Sequence, residues 1–120
     1  MQRTRNTAPG GRTPEELEQL LEDAFMIRDG LALAQLFEDG AVLGAAPGEA
    51  RGGEQIGHLA AVMWQREYSY LADPQRIVQA RDTALVVARQ GLNVVRRRSD
   101  GNWLYAISLL DMHSIEGGAR

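Results

Sequence analysis

The sequence predicts an α+β domain whose helices pack on one face of an antiparallel sheet. Two observations carry that reading. Apolar residues recur at helical spacing through the first half of the chain, and after Arg66 the period drops from about four to two. Helices followed by a run of strands, punctuated by Asp-Gly and Gly-Gly breaks, are the α+β order. At 120 residues without internal duplication, one domain is expected, large enough for a core without covalent staples.

The segment MQRTRNTAPGGR, residues 1–12, is polar and acid-free and reads as a disordered Arg-containing arm. Thr13-Pro14-Glu15-Glu16 then opens a helix: Thr13 caps, Pro14 suits the first helical position, and Glu16 closes a capping box. Leu17, Leu20, Leu21, Ala24 and Ile27 carry this helix over 14–28. Asp29 caps a second, short helix from Leu31 to Phe37, which Glu38-Asp39-Gly40 ends. Ala41–Ala45 is a short strand, and Pro47, Gly48, Gly52 and Gly53 mark a loop. Glu54–Arg66 is a third helix with Ile56, Leu59, Ala60 and Met63 as its stripe and Trp64 at the border. Tyr68–Leu71 is strand-like, Asp73-Pro74 interrupts it, and Arg76–Ala80 resumes it. Asp82–Gln90 and Leu92–Arg98 are β-rich, with Gly91 alone between them, tight for a hairpin and compatible with a bulge or bend. Ser99-Asp100-Gly101-Asn102 is a hairpin turn into the last strand, Trp103–Met112. The domain spans 13–114, and 115–120 reads as a flexible tail.

Composition excludes much chemistry. With no cysteine there is no disulfide, thiolate metal site or cysteine nucleophile. All 13 basic residues are arginine, so Schiff-base chemistry and a P-loop lysine are absent. Two histidines, His58 and His113, and no ligand spacing make a metal centre unexpected, and no dinucleotide or nucleophile-elbow motif points to a cofactor or serine hydrolase. The net charge of −3 argues against nucleic acid as partner. No apolar run of about 18 residues reads as a membrane span, and no secretory signal is recognisable, so a cytoplasmic location is the expectation.

Four local features together resemble a known family. Arg28-Asp29-Gly30 with Leu-Ala-x-Leu-Phe and Asp39-Gly40-Ala41-Val42, then Arg51-Gly52-x-Glu54-x-Ile56, Asp82-Thr83-Ala84-Leu85-Val86, and Arg96-Arg97-x-x-Asp100-Gly101-x-Trp103 are similar, in order, to segments of the nuclear transport factor 2-like superfamily. The likeness is to its small SnoaL-like bacterial members, relatives of ketosteroid isomerase. It implies a curved antiparallel sheet wrapped by three N-terminal helices into a cone, an apolar internal cavity, and a homodimer formed through the sheet. It does not imply the isomerase reaction. The stretch matching the aspartate base is Gly44-Ala45-Ala46-Pro47, the position of the first-helix tyrosine is about Leu21, and that of the second acid is about Arg98. In the last strand the polar position reduces to Ser108.

The resemblance and helical spacing together put Leu21, Phe25, Ala60, Trp64 and Ser108 around the cavity, which is expected to take a small hydrophobic molecule. Trp64, Tyr68 and Tyr70 are the strongest local signal, an aromatic cluster with hydroxyls to orient a ligand. The same residues also suit ordinary core packing. His58 is the candidate acid/base if the protein is a SnoaL-like isomerase, cyclase or hydrolase, and otherwise a helix-flank histidine. Asp111 with His113, Arg81-Asp82 beside Asp73, and Arg96–Arg98 each suit a site or a solvated strand end. A third reading is a structural dimer with its cavity filled by Trp64 and Met63.

Overall fold

A computed structural model describes residues 9–111. His113, the tail over 115–120 and the arm up to Ala8 lie outside the described residues. The order is α1 (Pro14–Ile27), α2 (Gly30–Ala34), β1 (Phe37–Ala45), β2 (Gly48–Arg51), α3 (Gly52–Gln65), β3 (Pro74–Ala80), β4 (Thr83–Ala88), β5 (Gly91–Arg97) and β6 (Trp103–Leu110). The strands form one open sheet in the order β2-β1-β6-β5-β4-β3. It is mixed, whereas an antiparallel sheet was expected, because β1 runs parallel to β6. The other pairs are antiparallel.

The predicted caps form. Thr13 Oγ1 accepts from the Glu16 N–H at 3.0 Å, and Glu16 reaches back to the Arg12 N–H. Asp29 Oδ1 accepts from Leu31 and Ala32 N–H, both at 3.1 Å. Helix α3 starts at Gly52, two residues before the expected Glu54, Pro74 starts β3, and four larger differences follow. The second helix stops at Ala34, so Phe37 starts β1 and does not end a helix. The Pro47–Gly53 loop contains β2, which pairs Gly48 with Ala45 and Arg51 with Val42. Tyr68–Leu71 is not a strand. Finally, Gly91 is not a bend: Ala88 pairs with Gly91 across Arg89-Gln90, a two-residue hairpin.

Gly11 continues the sheet by a bridge to Trp103, with its N–H donating to the Trp103 carbonyl at 3.1 Å and its carbonyl accepting at 2.7 Å. Gly10 is required there. Its φ is +108°, and a Cβ would stand 2.5 Å from the Trp103 carbonyl oxygen.

One irregularity decides which residues face inward. Along β6, Trp103 and Tyr105 are buried, then Ser108 and Leu110 are buried while Ile107 and Leu109 are exposed. Simple alternation would put Trp103, Tyr105, Ile107 and Leu109 on one face. The register shifts between Val94 and Val95, which pair with Ile107 and Tyr105, leaving Ala106 as the extra residue. A one-residue bulge exchanges the faces. It turns Ser108 into the core and Ile107 out of it.

Candidate functional site

The interior side of the sheet, beneath α1 and α3, gathers Leu17, Leu21, Phe25, Ile56, Ala60 and Met63 with Val86 and Val95 from the strands. Within this apolar shell lies a buried polar network. Glu18, Asn93 and Ser108 are each 0 % exposed. Glu18 accepts from the Tyr70 hydroxyl at 2.5 Å, the Tyr105 hydroxyl at 2.6 Å and Asn93 Nδ2 at 3.0 Å. Ser108 Oγ donates to Asn93 Oδ1 at 2.6 Å, which fixes the amide with its NH₂ toward the carboxylate. Three donors converging on Glu18 are what an acceptor-only carboxylate requires in the interior.

Each member is placed by a local cause. Glu18 lies one residue after Leu17 on the α1 face that turns inward, so it is buried with the apolar stripe. Asn93 occupies an inward position of β5 between outward Leu92 and half-buried Val94. Tyr105 and Ser108 face inward on either side of the β6 bulge. Tyr70 arrives by a different route. Helix α3 ends in a Schellman motif, with Tyr68 N–H donating to the Met63 carbonyl at 3.0 Å, Glu67 N–H donating to the Trp64 carbonyl at 2.9 Å and Glu67 at φ +60°. The chain that follows is tied by side chains in place of a strand ladder. Gln90 accepts from the Leu71 N–H and donates to the Ser69 carbonyl, both at 2.9 Å, and Glu22 accepts from the Ala72 N–H at 2.6 Å.

Burial pushes the Tyr105 and Tyr70 hydroxyls well above the ordinary tyrosine range, and the charge and hydrogen bonds of Glu18 push the same way. Both phenols therefore remain proton donors at neutral pH. The set can hold a proton at a phenol oxygen beside a carboxylate. With Glu18 fully bonded and out of contact with solvent, acting on a substrate would require the shell to open.

The five residues expected around a cavity are brought together. Leu21, Ala60 and Ser108 are fully buried, and Phe25 and Trp64 nearly so; the four apolar residues share one packed cluster, and Ser108 joins the interior through Asn93. Phe25 stands edge-on to Trp64 at 5.8 Å and tilted against Tyr70 at 5.9 Å, so it joins two of the three aromatic residues singled out in the sequence. Trp64 Nε1 is buried and has no acceptor among the described residues. Tyr68 is half-buried beside them.

Other candidates separate. His58 is exposed on α3. Asp111 is exposed, and its expected partner His113 lies outside the described residues. Asp73 and Arg81-Asp82 stand at opposite ends of β3: Asp73 faces Arg89 at 3.9 Å, and Asp82 holds Arg97 at 2.6 Å. The arginine run is divided among three surroundings. Arg96 pairs with Glu38, Arg97 lies over the Trp103 ring at 5.3 Å as well as on Asp82, and Arg98 borders a groove outside the core. That groove, about 790 Å³, lies between α2, α3 and the start of β1. Among the described residues, no group of three or more His, Asp or Glu side chains could hold a metal ion, and no helix is long and apolar enough to cross a membrane.

The sequence reading found the last strand stripped of polar machinery except Ser108. The network corrects it. Glu18 and Asn93 were missed because each sits in an ordinary run of polar residues or a β-rich segment, and the shared face of Tyr105 and Ser108 because the bulge between them is not visible in alternation. The available signal was a glutamate directly beside Leu17 on a stripe that also holds Leu21.

No family model and no curated protein matches the chain. Solved structures do. The chain is similar to a protein of unknown function with a cystatin-like fold from Nostoc punctiforme (17 % identity, 83 % of this chain and 88 % of that one, TM-score 0.70). It is also similar to a ketosteroid isomerase-like protein from Erwinia carotovora atroseptica (19 %, 83 % and 93 %, 0.69) and an NTF2-like protein from Novosphingobium aromaticivorans (15 %, 88 % and 84 %, 0.65). At these identities the likeness establishes the fold. The chain has the curved-sheet, cystatin-like architecture that its sequence resemblance implied, shared with NTF2-like and SnoaL-like proteins.

Proposed function

We propose that this cystatin-like domain binds a small hydrophobic molecule carrying an acceptor oxygen, held between Phe25, Trp64 and Tyr70 above Leu21, Ala60 and Ser108. The observation that carries the reading is the indole N–H of Trp64, a donor buried edge-on against Phe25 with no acceptor among the described residues. An unsatisfied buried donor costs about 1–3 kcal/mol, and a ligand oxygen would recover it. The entry is the segment from Tyr68 to Asp73. Its backbone is held by three bonds to side chains and by the Arg89 N–H on the Asp73 carbonyl, and no strand ladder pairs it, so it opens as a local unit once the Tyr70–Glu18 bond is released. Tyr70 belongs to this segment, and Glu18, to which its hydroxyl donates, lies directly behind it.

The test is a thermal-shift and tryptophan-fluorescence titration with a panel of apolar polycyclic ketones, on the native chain and on Trp64→Phe. Ligands that bind only the folded state raise Tm in proportion to ln(1 + [L]/Kd). The expected result is a concentration-dependent rise that Trp64→Phe weakens about tenfold, the equivalent of one hydrogen bond. An equal response in both proteins, or no response up to the solubility limit, removes the reading.

A second observation favours self-association. On the outer sheet face Val78, Leu85, Val94, Ile107 and Val42 stand in register across five strands, flanked by Leu92 and Leu109. Ile107, Leu109 and Val78 are 43–49 % exposed. A contiguous apolar row on a sheet face is a partner surface, and a second copy of this chain presents the matching row. The domain is therefore read as a homodimer whose two interiors open away from the shared sheets.

A further inference from the structure

The groove of about 790 Å³ outside the core has an apolar floor that includes Leu31, Ala34 and Leu104, and an acidic rim. Glu38, Asp39, Glu54 and Asp100 line it against a single arginine, Arg98. Glu38 is already held by Arg96, and Asp100 caps the Asn102 N–H at 2.9 Å. Asp39 and Glu54 are exposed, and neither is in an ion pair among the described residues. The rim therefore carries unanswered negative charge next to apolar surface.

Pro9 is itself part of the lining. Its position is set by three contacts: the two Gly11–Trp103 backbone bonds and Asn102 Nδ2 donating to the Pro9 carbonyl at 3.3 Å. The chain is thus anchored at the groove's edge. The eight residues before it read MQRTRNTA, with Arg3 and Arg5 and no acid. At about 3.3–3.6 Å per residue, an extended chain brings Arg5 up to roughly 14 Å and Arg3 up to roughly 21 Å from Pro9. The geometry points to residues 1–8 of the same chain as the occupant of this groove, with Arg3 and Arg5 answering Asp39 and Glu54 and the less polar side chains of the segment on the apolar floor. Being anchored at Pro9, the segment binds as an intramolecular ligand, at the high effective concentration of a short tether. A basic segment of another protein would have to displace it.

The absence of cysteine makes the test clean. Gln2→Cys carries a single nitroxide label, and relaxation is read at the amides of the ¹⁵N-labelled full chain. Docking predicts that signals of Leu31, Ala34 and Gly57 lose more than half their intensity while Val78 and Leu85 on the outer sheet keep theirs. The effect is expected to fade in an Arg3→Ser/Arg5→Ser background, and between 0.1 M and 1 M salt, where the Debye length falls from about 10 to about 3 Å. Asp39→Arg with Glu54→Arg is expected to abolish it. Three results would overturn the proposal: equal broadening at Leu31 and Leu85, broadening that survives loss of both arginines, or the same broadening when the spin label and the ¹⁵N label are on separate, mixed copies. The last would mean that the segment reaches a second molecule.

Discussion

Glu18→Ala tests whether the interior is organised around a carboxylate. The substitution removes the acceptor of three hydrogen bonds, from Tyr70, Tyr105 and Asn93. Bonds to a charged group contribute about 1.5–3 kcal/mol each, but their sum overstates the loss because Tyr70, Asn93 and Ser108 can regroup. Removing one partner from a buried charged network costs about 3–5 kcal/mol, and the middle of that range is the expected loss. For a folded unit of this size that corresponds to a fall in Tm of roughly 15–30 °C. Glu18→Gln is expected to lose only about 1–2 kcal/mol. Its amide oxygen can serve Tyr105 and Asn93, and the Tyr70 hydroxyl can turn to accept from the new NH₂. Urea unfolding at pH 7, with m-values compared to confirm that the same surface is exposed, gives each loss from the midpoint. Adding Tyr70→Phe to Glu18→Ala completes a double-mutant cycle, for which a coupling of about 1–3 kcal/mol is expected. A loss below about 1 kcal/mol for Glu18→Ala, or additivity within about 0.5 kcal/mol in the cycle, would refute the argument.

Three further predictions rest on other parts of the molecule. Burial first, then Glu18, raises both Tyr70 and Tyr105 above the value of 10.0 that the unfolded chain keeps. The folded state therefore binds more protons above pH 10, and stability that is complete below pH 10 falls as pH rises toward the folded values. The slope is up to about 1.4 kcal/mol per pH unit for each tyrosine. Urea midpoints from pH 9 to 11 are expected to fall less steeply in Tyr70→Phe, and parallel curves would count against the network. Gly10→Ala places a Cβ 2.5 Å from the Trp103 carbonyl at φ +108°, so a loss of about 2–4 kcal/mol and faster exchange of the Trp103 amide are expected. An unchanged midpoint would show that the Gly11–Trp103 bridge is dispensable. Ile107→Arg puts a charge at the centre of the outer apolar row, where Ile107 is 43 % exposed. Sedimentation velocity is expected to shift from dimer to monomer with the melting temperature retained, and a native chain already monomeric at micromolar concentration would end the dimer reading.

The helices were legible because their signals are local. Thr13, Pro14 and Glu16 start α1, Asp29 starts α2, and the stripe of Ile56, Ala60 and Met63 marks α3, each acting within a turn of its own position. The strands after Arg66 and the Asp100-Gly101 hairpin were equally visible, and together with the four motif segments they were enough for the α+β class and the cystatin-like fold. The segment from Tyr68 to Asp73 misled because its alternation looks like a strand, while its backbone groups are taken by the side chains of Gln90 and Glu22, residues 19–50 positions away.

What the sequence determined by itself was therefore the caps, periods and turns, and through them which elements exist and roughly where. Tertiary structure decided the parallel pairing of β1 with β6, the bulge at Ala106 and the convergence of Glu18, Tyr70, Asn93, Tyr105 and Ser108. The physical reason is range. A cap or an amphipathic stripe is settled by neighbours three or four residues away. The partners of Glu18, by contrast, are 52, 75 and 87 residues distant, and a single extra residue in β6 selects which side chains reach it.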